Sequence, residues 1–466
     1  IKQQSGGSQQ FTKTVSDTLG RSIKSYVGYD TSETSYADAA SVSGDTIFEQ
    51  TETTFDATGN VIQTTQRSRL HDATGTGELT SIGGSQPKAR ILFSVNYPDA
   101  IGRWIAQASY GDNGGSSFTR SGTIPTRSDT VLVTTTEYND DGEAYKQIDP
   151  SGKEDRTVFD DAGRVLKTIE NYDDGDPTSG AADKDRTVEF TYTAGGQQKT
   201  ITARQPSSGD DQVTRYVYGT TLTDSDIARN DLLRAVIYPD SDDVDSPLGN
   251  GPDGIYDRVE HRYNRQGEVK ESQDQNGTVR VFEYDSLGRV IHDRVTTLGS
   301  GVSGTLRRIS TGYEVRSLVE KVTCYDSATL GSGTVVNEIV REFNDMGMIV
   351  KEYQEHGGAK SGSTLYVGIN YDTSASSGEF TKGLRQTSVR YPNGRLVHQT
   401  YGSSGSADDN LNRLQAIKDD SGGSPGASLA EYTYLGLGQV VIQDLPQPDV
   451  KLDYFGGTSG AYAGFD

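Results

Sequence analysis

One short pattern recurs along the chain and limits what it can fold into. It consists of an aromatic residue, Asp or Asn, two further residues, Gly, one residue, and then an aliphatic pair. The fullest copies are Tyr284-Asp285-Ser286-Leu287-Gly288-Arg289-Val290-Ile291 and Phe159-Asp160-Asp161-Ala162-Gly163-Arg164-Val165-Leu166. Others are Phe55-Asp56-Ala57-Thr58-Gly59-Asn60-Val61-Ile62 and the segments that start at Tyr138, Tyr263 and Phe343. Weaker copies occupy Asp17-Thr18-Leu19-Gly20-Arg21, Asp99-Ala100-Ile101-Gly102-Arg103 and the stretches after Tyr192 and Tyr434; at Tyr391 the turn is shortened to Pro392-Asn393-Gly394-Arg395. The chemistry of the pattern is that of a tight turn. The Asp or Asn side chain bonds the backbone ahead of it, and Gly takes the left-handed position that closes the turn. The flanks alternate or are β-branched, as in Val279-Arg280-Val281-Phe282-Glu283-Tyr284, so each copy predicts strand, turn, strand: a β-hairpin. Gly59, Gly163, Gly267, Gly288 and Gly347 are the expected turn positions, with Tyr138, Phe159, Tyr263, Tyr284 and Phe343 beside them.

Spacing sets the unit. Tyr138 and Phe159 stand 21 residues apart, as do Tyr263 and Tyr284; Tyr97 to Tyr138 and Tyr391 to Tyr434 span 41 and 43. The wide gaps read as two units, one of them degenerate, around Tyr29-Asp30, Tyr110-Gly111, Tyr325-Asp326, Tyr371-Asp372 and Tyr401-Gly402. A single hairpin is unstable alone, so neighbours must pair side by side into a long antiparallel, twisted ribbon. Equivalent tyrosines would then align as ladders on one face. Residues 109–128, 173–185, 240–257, 298–305, 327–333, 357–363 and 419–428 are rich in Gly, Ser or Asp and read as loops. The one stretch with helical spacing, residues 224–238, is resolved by Asn230-Asp231 and its β-branched end in favour of a turn followed by a strand. The expected fold class is all-β, a single continuous repeat array over residues 1–466 without separate domains.

Composition agrees with a thin sheet. Apolar residues make up 32% of the 466, below the roughly 45–50% of ordinary globular domains, and Tyr is the dominant large residue at 26 against 12 Phe and 1 Trp. A net charge of −22 argues against nucleic acid and anionic membrane surfaces, both of which need a basic stripe. The single Cys324 rules out an intrachain disulfide. No apolar run approaches transmembrane length. Ile1-Lys2-Gln3-Gln4-Ser5-Gly6 reads as mid-chain, and Tyr462-Ala463-Gly464-Phe465-Asp466 stops where another repeat could begin; the expectation is a fragment of a larger protein.

These residues resemble the bacterial RHS/YD-repeat family. The resemblance is carried by Tyr284-Asp285-Ser286-Leu287-Gly288-Arg289-Val290, Phe159-Asp160-Asp161-Ala162-Gly163-Arg164-Val165 and Asp149-Pro150-Ser151-Gly152, and it extends over essentially the whole chain. It implies a sheet of stacked hairpins spiralling around a hollow centre as a β-solenoid-like shell or tube. In toxin members that cocoon encloses a cytotoxic C-terminal domain; other members are large cell-surface or wall-associated proteins. Toxin members also carry a core region whose Asp residues self-cleave the cargo. This sequence has no such region, and Asp149-Pro150 belongs to an ordinary repeat.

Candidate chemistry is sparse. Gly422-Gly423-Ser424-Pro425-Gly426 fits the nucleophile-elbow string, but that motif needs a strand before it and a helix after it, and both flanks read as polar loop. His71, His261, His292, His356 and His398 lack zinc-type spacing and are expected to be exposed strand residues. The acidic run from Asp240 to Asp257 offers Asp240, Asp242, Asp243, Asp245 and Asp253 as oxygen ligands for Ca2+. The EF-hand register fails, with Val244 in a ligand slot and no closing Glu, which favours a solvated acidic loop and no cofactor. The tyrosines could stack on sugars, though their place beside turns is architectural first. The sequence therefore points to a non-enzymatic scaffold, filament subunit or shell segment, extracellular or at the cell surface, with a toxin-enclosing cocoon and a glycan- or cell-binding adhesin as alternatives. Expected partners are neighbouring copies or flanking repeats, a cargo domain, or cell-surface glycans; nucleic acid and membrane insertion are not expected.

Overall fold

The computed structural model describes residues 9–30, 35–179, 183–207, 209–372 and 384–454. The two chain ends discussed above, and most of the segment after Tyr371-Asp372, lie outside them. Among the described residues, twenty-nine strands form antiparallel sheet, and a small separate hairpin pairs Val244–Asp245 with Leu248–Gly249. Among the described residues, helix is limited to Tyr36–Ala39, Ala407–Asn410 and the 3-10 turn Asn113–Gly115. No helix among them is long and apolar enough to cross a membrane.

The chain divides into two compact units, one of residues 1–137, 147–152 and 369–466, the other of residues 138–146 and 153–368. From Glu154–Phe159 to Tyr366–Tyr371 each strand of the sheet pairs antiparallel with the next, the small hairpin of residues 244–249 being skipped. Val259–Tyr263, Val269–Gln273, Val279–Tyr284 and Val290–Thr297 form one such meander, joined by turns at Asn264, Asp274 and Asp285. The stretch at residues 224–238 is a turn followed by the strand Leu233–Ile237. The second unit buries few apolar side chains: Ile169, Ala235, Val236, Ile237 and Tyr263. Its buried positions are largely polar and most are hydrogen-bonded, with Nε of Arg258 and of Arg308 the exceptions. The Glu338 carboxylate accepts from the Lys360 amide at 2.9 Å, the Thr323 hydroxyl at 2.8 Å and Lys321 Nζ at 2.7 Å.

The first unit carries conventional apolar packing. Phe11, Tyr26, Ile47, Leu79 and Ala89 form one cluster, and Val95, Tyr97, Ala106, Ala108 and Val133 a second. In the third, Leu70 packs with Leu435 and Val441, so late hairpins lie on early strands.

Two expectations change. Residues 419–428 are not a loop but the tip of a hairpin between Ala416–Ser421 and Ser424–Leu435, turning at Gly422 and Gly423 with φ of +65° and +90°. Two consecutive left-handed glycines suit a hairpin turn, and Pro425 follows where the ladder is already irregular. At Tyr391 the turn is of ordinary length: the Tyr391 amide donates to the Arg395 carbonyl at 2.8 Å, so Tyr391 itself fills the Asp position.

Candidate functional site

The repeated turn is the most regular chemical feature of the molecule. In the Asp285 copy, the Gly288 amide donates to the Asp285 carbonyl at 3.0 Å, and the Asp285 amide to the Arg289 carbonyl at 2.9 Å. This is a type I turn closed by a left-handed glycine. The Asp285 carboxylate accepts from the Leu287 amide at 2.9 Å, the Arg289 amide at 3.1 Å and Arg289 Nε at 2.7 Å. Asp160 and Arg164 repeat the arrangement, as do Asp17 with Arg21 and Asp99 with Arg103. The Arg289 and Arg164 guanidinium groups hold the Asp285 and Asp160 carboxyls below the usual aspartate range. Gly59, Gly163, Gly267, Gly288 and Gly347 all sit at such turns with φ between +75° and +98°.

Several turns are also fastened to the next hairpin. Arg289 lies over the Tyr313 ring at 4.2 Å, and the Tyr313 hydroxyl donates to the Val290 carbonyl at 3.0 Å. Arg164 lies over Tyr192 at 4.6 Å, whose hydroxyl reaches the Val165 carbonyl at 2.8 Å. Arg385 with Tyr401, and Arg413 with Tyr434, do the same toward the Gln386 and Leu414 carbonyls. Tyr263 and Tyr284 keep the hydroxyl bond, to Leu233 and Val269, at positions without the arginine. Burial pushes both phenols up, Tyr284 with help from the Glu268 charge, so each remains a donor. A bulge precedes the turn aromatic at Phe55, Tyr192, Tyr263, Tyr284, Tyr313, Phe343 and Tyr434, adding local right-handed twist. Phe159 pairs with Val165 across its own turn, and Tyr138 ends the strand Leu132–Tyr138.

The aromatic ladder expected from the repeat is replaced by these arginine–tyrosine contacts. The motif rings of Tyr192, Tyr263, Tyr284 and Tyr313 do not stack on one another; the Tyr353–Tyr366 pair, at 5.1 Å, involves non-motif positions. A guanidinium intervenes because the residue after the turn glycine faces the next hairpin's aromatic across the ladder.

Within the first unit a seam joins distant parts of the chain. The Leu437 amide donates to Glu49 Oε1 at 3.2 Å and the Gly436 amide to the Arg69 carbonyl at 2.8 Å, while Arg413 reaches the Gly436 carbonyl at 2.7 Å and covers the Phe48 ring at 5.2 Å. Burial pushes the Glu49 carboxyl up, against the lowering effect of the Ser68 hydroxyl and the Leu437 amide. No local pattern in the sequence marks these residues.

Of the acidic candidates, Asp242 and Asp243 converge with Asp257, their ligand oxygens within 4.8 Å; Asp240, Asp245 and Asp253 are not in that group. Asp243 is buried, with Arg258 at 2.7 Å and the amides of Gly251 and Asp257 at 3.1 and 3.3 Å. Its carboxylate organises the loop rather than facing an open coordination site. The buried Asp185 plays the same part at residues 173–175, accepting from the Asp173 and Gly175 amides at 2.9 Å each. Burial alone would raise its carboxyl, yet these amides hold it low.

The histidines are mostly less exposed than expected. His398 is buried, with Nε2 2.8 Å from Asp420; His71, His261 and His292 are half-buried, and His356 is exposed. Ser424 opens a strand, with no helix after it. Burial raises the Cys324 thiol, which keeps it from being a ready thiolate.

No protein-family model matches the chain, and no curated protein matches its sequence. Solved structures do match. The Photorhabdus luminescens Tc holotoxin pore, carrying a TccC3 mutation, aligns over 91% of this chain and 20% of its own with a TM-score of 0.50 and 13% identity. TcdB2-TccC3 without its hypervariable C-terminal region aligns over 94% and 21%, with a TM-score of 0.51 and 13% identity. The fold is shared with these toxin chains, and this chain spans about a fifth of their length.

Proposed function

We propose that this chain is a non-enzymatic wall segment of a bacterial RHS/YD-repeat shell that works outside the cell or at its surface. Shape and continuity carry the role. Repeated turns, several of them Asp–Gly–Arg, fasten hairpins to their neighbours, which suits a wall built one strand at a time. The observation that carries the reading is the seam between Glu49 and Leu437, residues 388 apart in sequence. A ribbon whose late hairpins bond to its early strands is suited to enclosing, whereas a filament subunit would keep its edges for other copies.

A second reading has support from the fold shared with toxin chains, one of them solved without its hypervariable C-terminal region. Here the wall encloses a C-terminal toxin domain that is not part of this chain. Negative-stain imaging of the purified chain tests the proposal. Closed or C-shaped particles that open in Gly436→Val are expected. Straight fibres overturn the wall reading in favour of a filament, and closed particles unaffected by that substitution overturn the seam as what closes the wall. Imaging a longer form that continues past residue 466 would show density inside the particle if cargo is enclosed.

A further inference from the structure

We propose that the first unit holds a saccharide-binding cavity, a function that does not depend on the wall role. The cavity measures about 530 Å³, within the range of small-ligand sites. Its floor is one face of three neighbouring strands. Glu52, Thr65 and Phe93 form one cross-strand row, and Gln50, Arg67 and Ile91 the next. Loop residues 78–82 and 112–118 rim it.

Three features define the ligand. First, the floor is divided. One part presents the amides and hydroxyls of Gln50, Gln63 and Thr65; the other presents Ile91 and Phe93, with Phe118 stacked on Phe93 at 5.0 Å. A pyranose has the same division, with a ring of hydroxyls around an apolar C–H face. Second, the charges already present are compensated. Arg67 Nε lies 2.9 Å from Glu52, and Lys24 lies 3.0 Å from Glu78, which also accepts from the Tyr26 hydroxyl at 2.5 Å. This leaves no basic patch for an anion, and among the described lining residues Asp112 is the carboxylate without a cationic partner. Third, Asp112 lines the cavity at 8% exposure. Its Oδ1 accepts from the Gly114 amide at 2.9 Å, while among the described residues nothing bonds its Oδ2. A buried carboxylate oxygen without a donor is costly; Oδ2 is itself closed to solvent, so a sugar hydroxyl supplies that donor only as the 112–118 rim yields. Gln50 and Thr65, both buried, are fixed by their own surroundings; the Leu79 amide donates to Gln50 Oε1 at 2.8 Å and Gln50 donates to Glu52 at 2.7 Å. The polar floor is therefore preorganised.

The test is saturation-transfer difference NMR on the full chain with glucose, galactose, N-acetylglucosamine and glucosamine, and with butylamine as a cationic control. Transfer strongest at ring C–H protons is expected for at least one sugar. Affinity should fall about tenfold in Asp112→Ala and in Phe118→Ala. Ser117→Trp, at an exposed rim position, should block the cavity without disturbing the packing, which covers the case in which the other variants fail to fold. No transfer from any sugar overturns the proposal, as does binding that survives Ser117→Trp. Equal binding of butylamine and glucosamine, with none of glucose or galactose, overturns the sugar assignment in favour of a cation site.

Discussion

The fastening of one hairpin to the next can be tested in both directions at one register. His292 pairs with Ser310, and Lys321 with Val340. Carried on, these ladders set Tyr313 opposite Arg289 and Phe343 opposite Leu318. The two aromatics are therefore equivalent, but only Tyr313 has a hydroxyl, bonded to the Val290 carbonyl at 3.0 Å. Tyr313→Phe keeps the ring under Arg289 and removes that one bond, worth about 0.5–1.5 kcal/mol net. Phe343→Tyr should add its counterpart, with the new hydroxyl on the Val319 carbonyl, and stabilise by a similar amount. In a repeat array whole-chain melting is not a two-state quantity, so local opening is the proper readout. Hydrogen exchange of peptides spanning Arg308–Tyr313 and Val319–Tyr325 should speed about two- to twelvefold in the first variant. Peptides over Val335–Phe343 should slow by a comparable factor in the second. Unchanged exchange in Tyr313→Phe, or faster exchange in Phe343→Tyr, refutes the idea that the phenol rather than the ring does the fastening.

Gly288→Ala should cost about 1–2 kcal/mol from left-handed strain at φ +78°. Its new Cβ meets only the end of Glu268, at 2.8 Å, while Gly20→Ala meets nothing within 4 Å; equal losses in local hydrogen-exchange stability at the two sites would assign the cost to the backbone. Gly436→Ala should open the seam, because its Cβ would overlap Glu49 Oε1 at φ +55°; limited proteolysis should then cut the chain near residues 436–438 faster than in the parent. The clasp aspartates Asp160 and Asp285 have folded values below the ordinary 3.8. Their contribution is therefore complete above that value and is lost as pH falls through the folded values. Carboxyl NMR titration should place both midpoints below 3.8, and Arg289→Ala should bring that of Asp285 back toward it.

Much of the architecture was legible because its punctuation is local. Asp, Gly and the flanking β-branched residues encode each turn within a few positions, so the hairpins at Phe159 and Tyr284 could be read directly. Hairpins without the full punctuation were missed. Asp274-Gln275-Asn276-Gly277 turns without an aromatic, and Tyr313 is followed by a turn in which Glu314 replaces Asp and Ser317 takes φ +70° in place of Gly. The arginine after the glycine was visible in five copies, but its partner is on the next hairpin, and no single motif shows that distance. The seam and the Asp112 cavity depend on contacts between segments far apart in sequence or on loop conformation, neither of which leaves a periodic trace.

Because each clasp refers only to the adjacent hairpin, length is a free variable of this design. An in-frame duplication of one 21-residue unit would supply its own fastener and accept its neighbour's. Gene recombination could therefore lengthen or shorten the ribbon without inventing new contacts. The region around Glu49 and Gly436 is the exception: there, two segments far apart in sequence must meet in fixed alignment, so inherited changes in copy number would be filtered there.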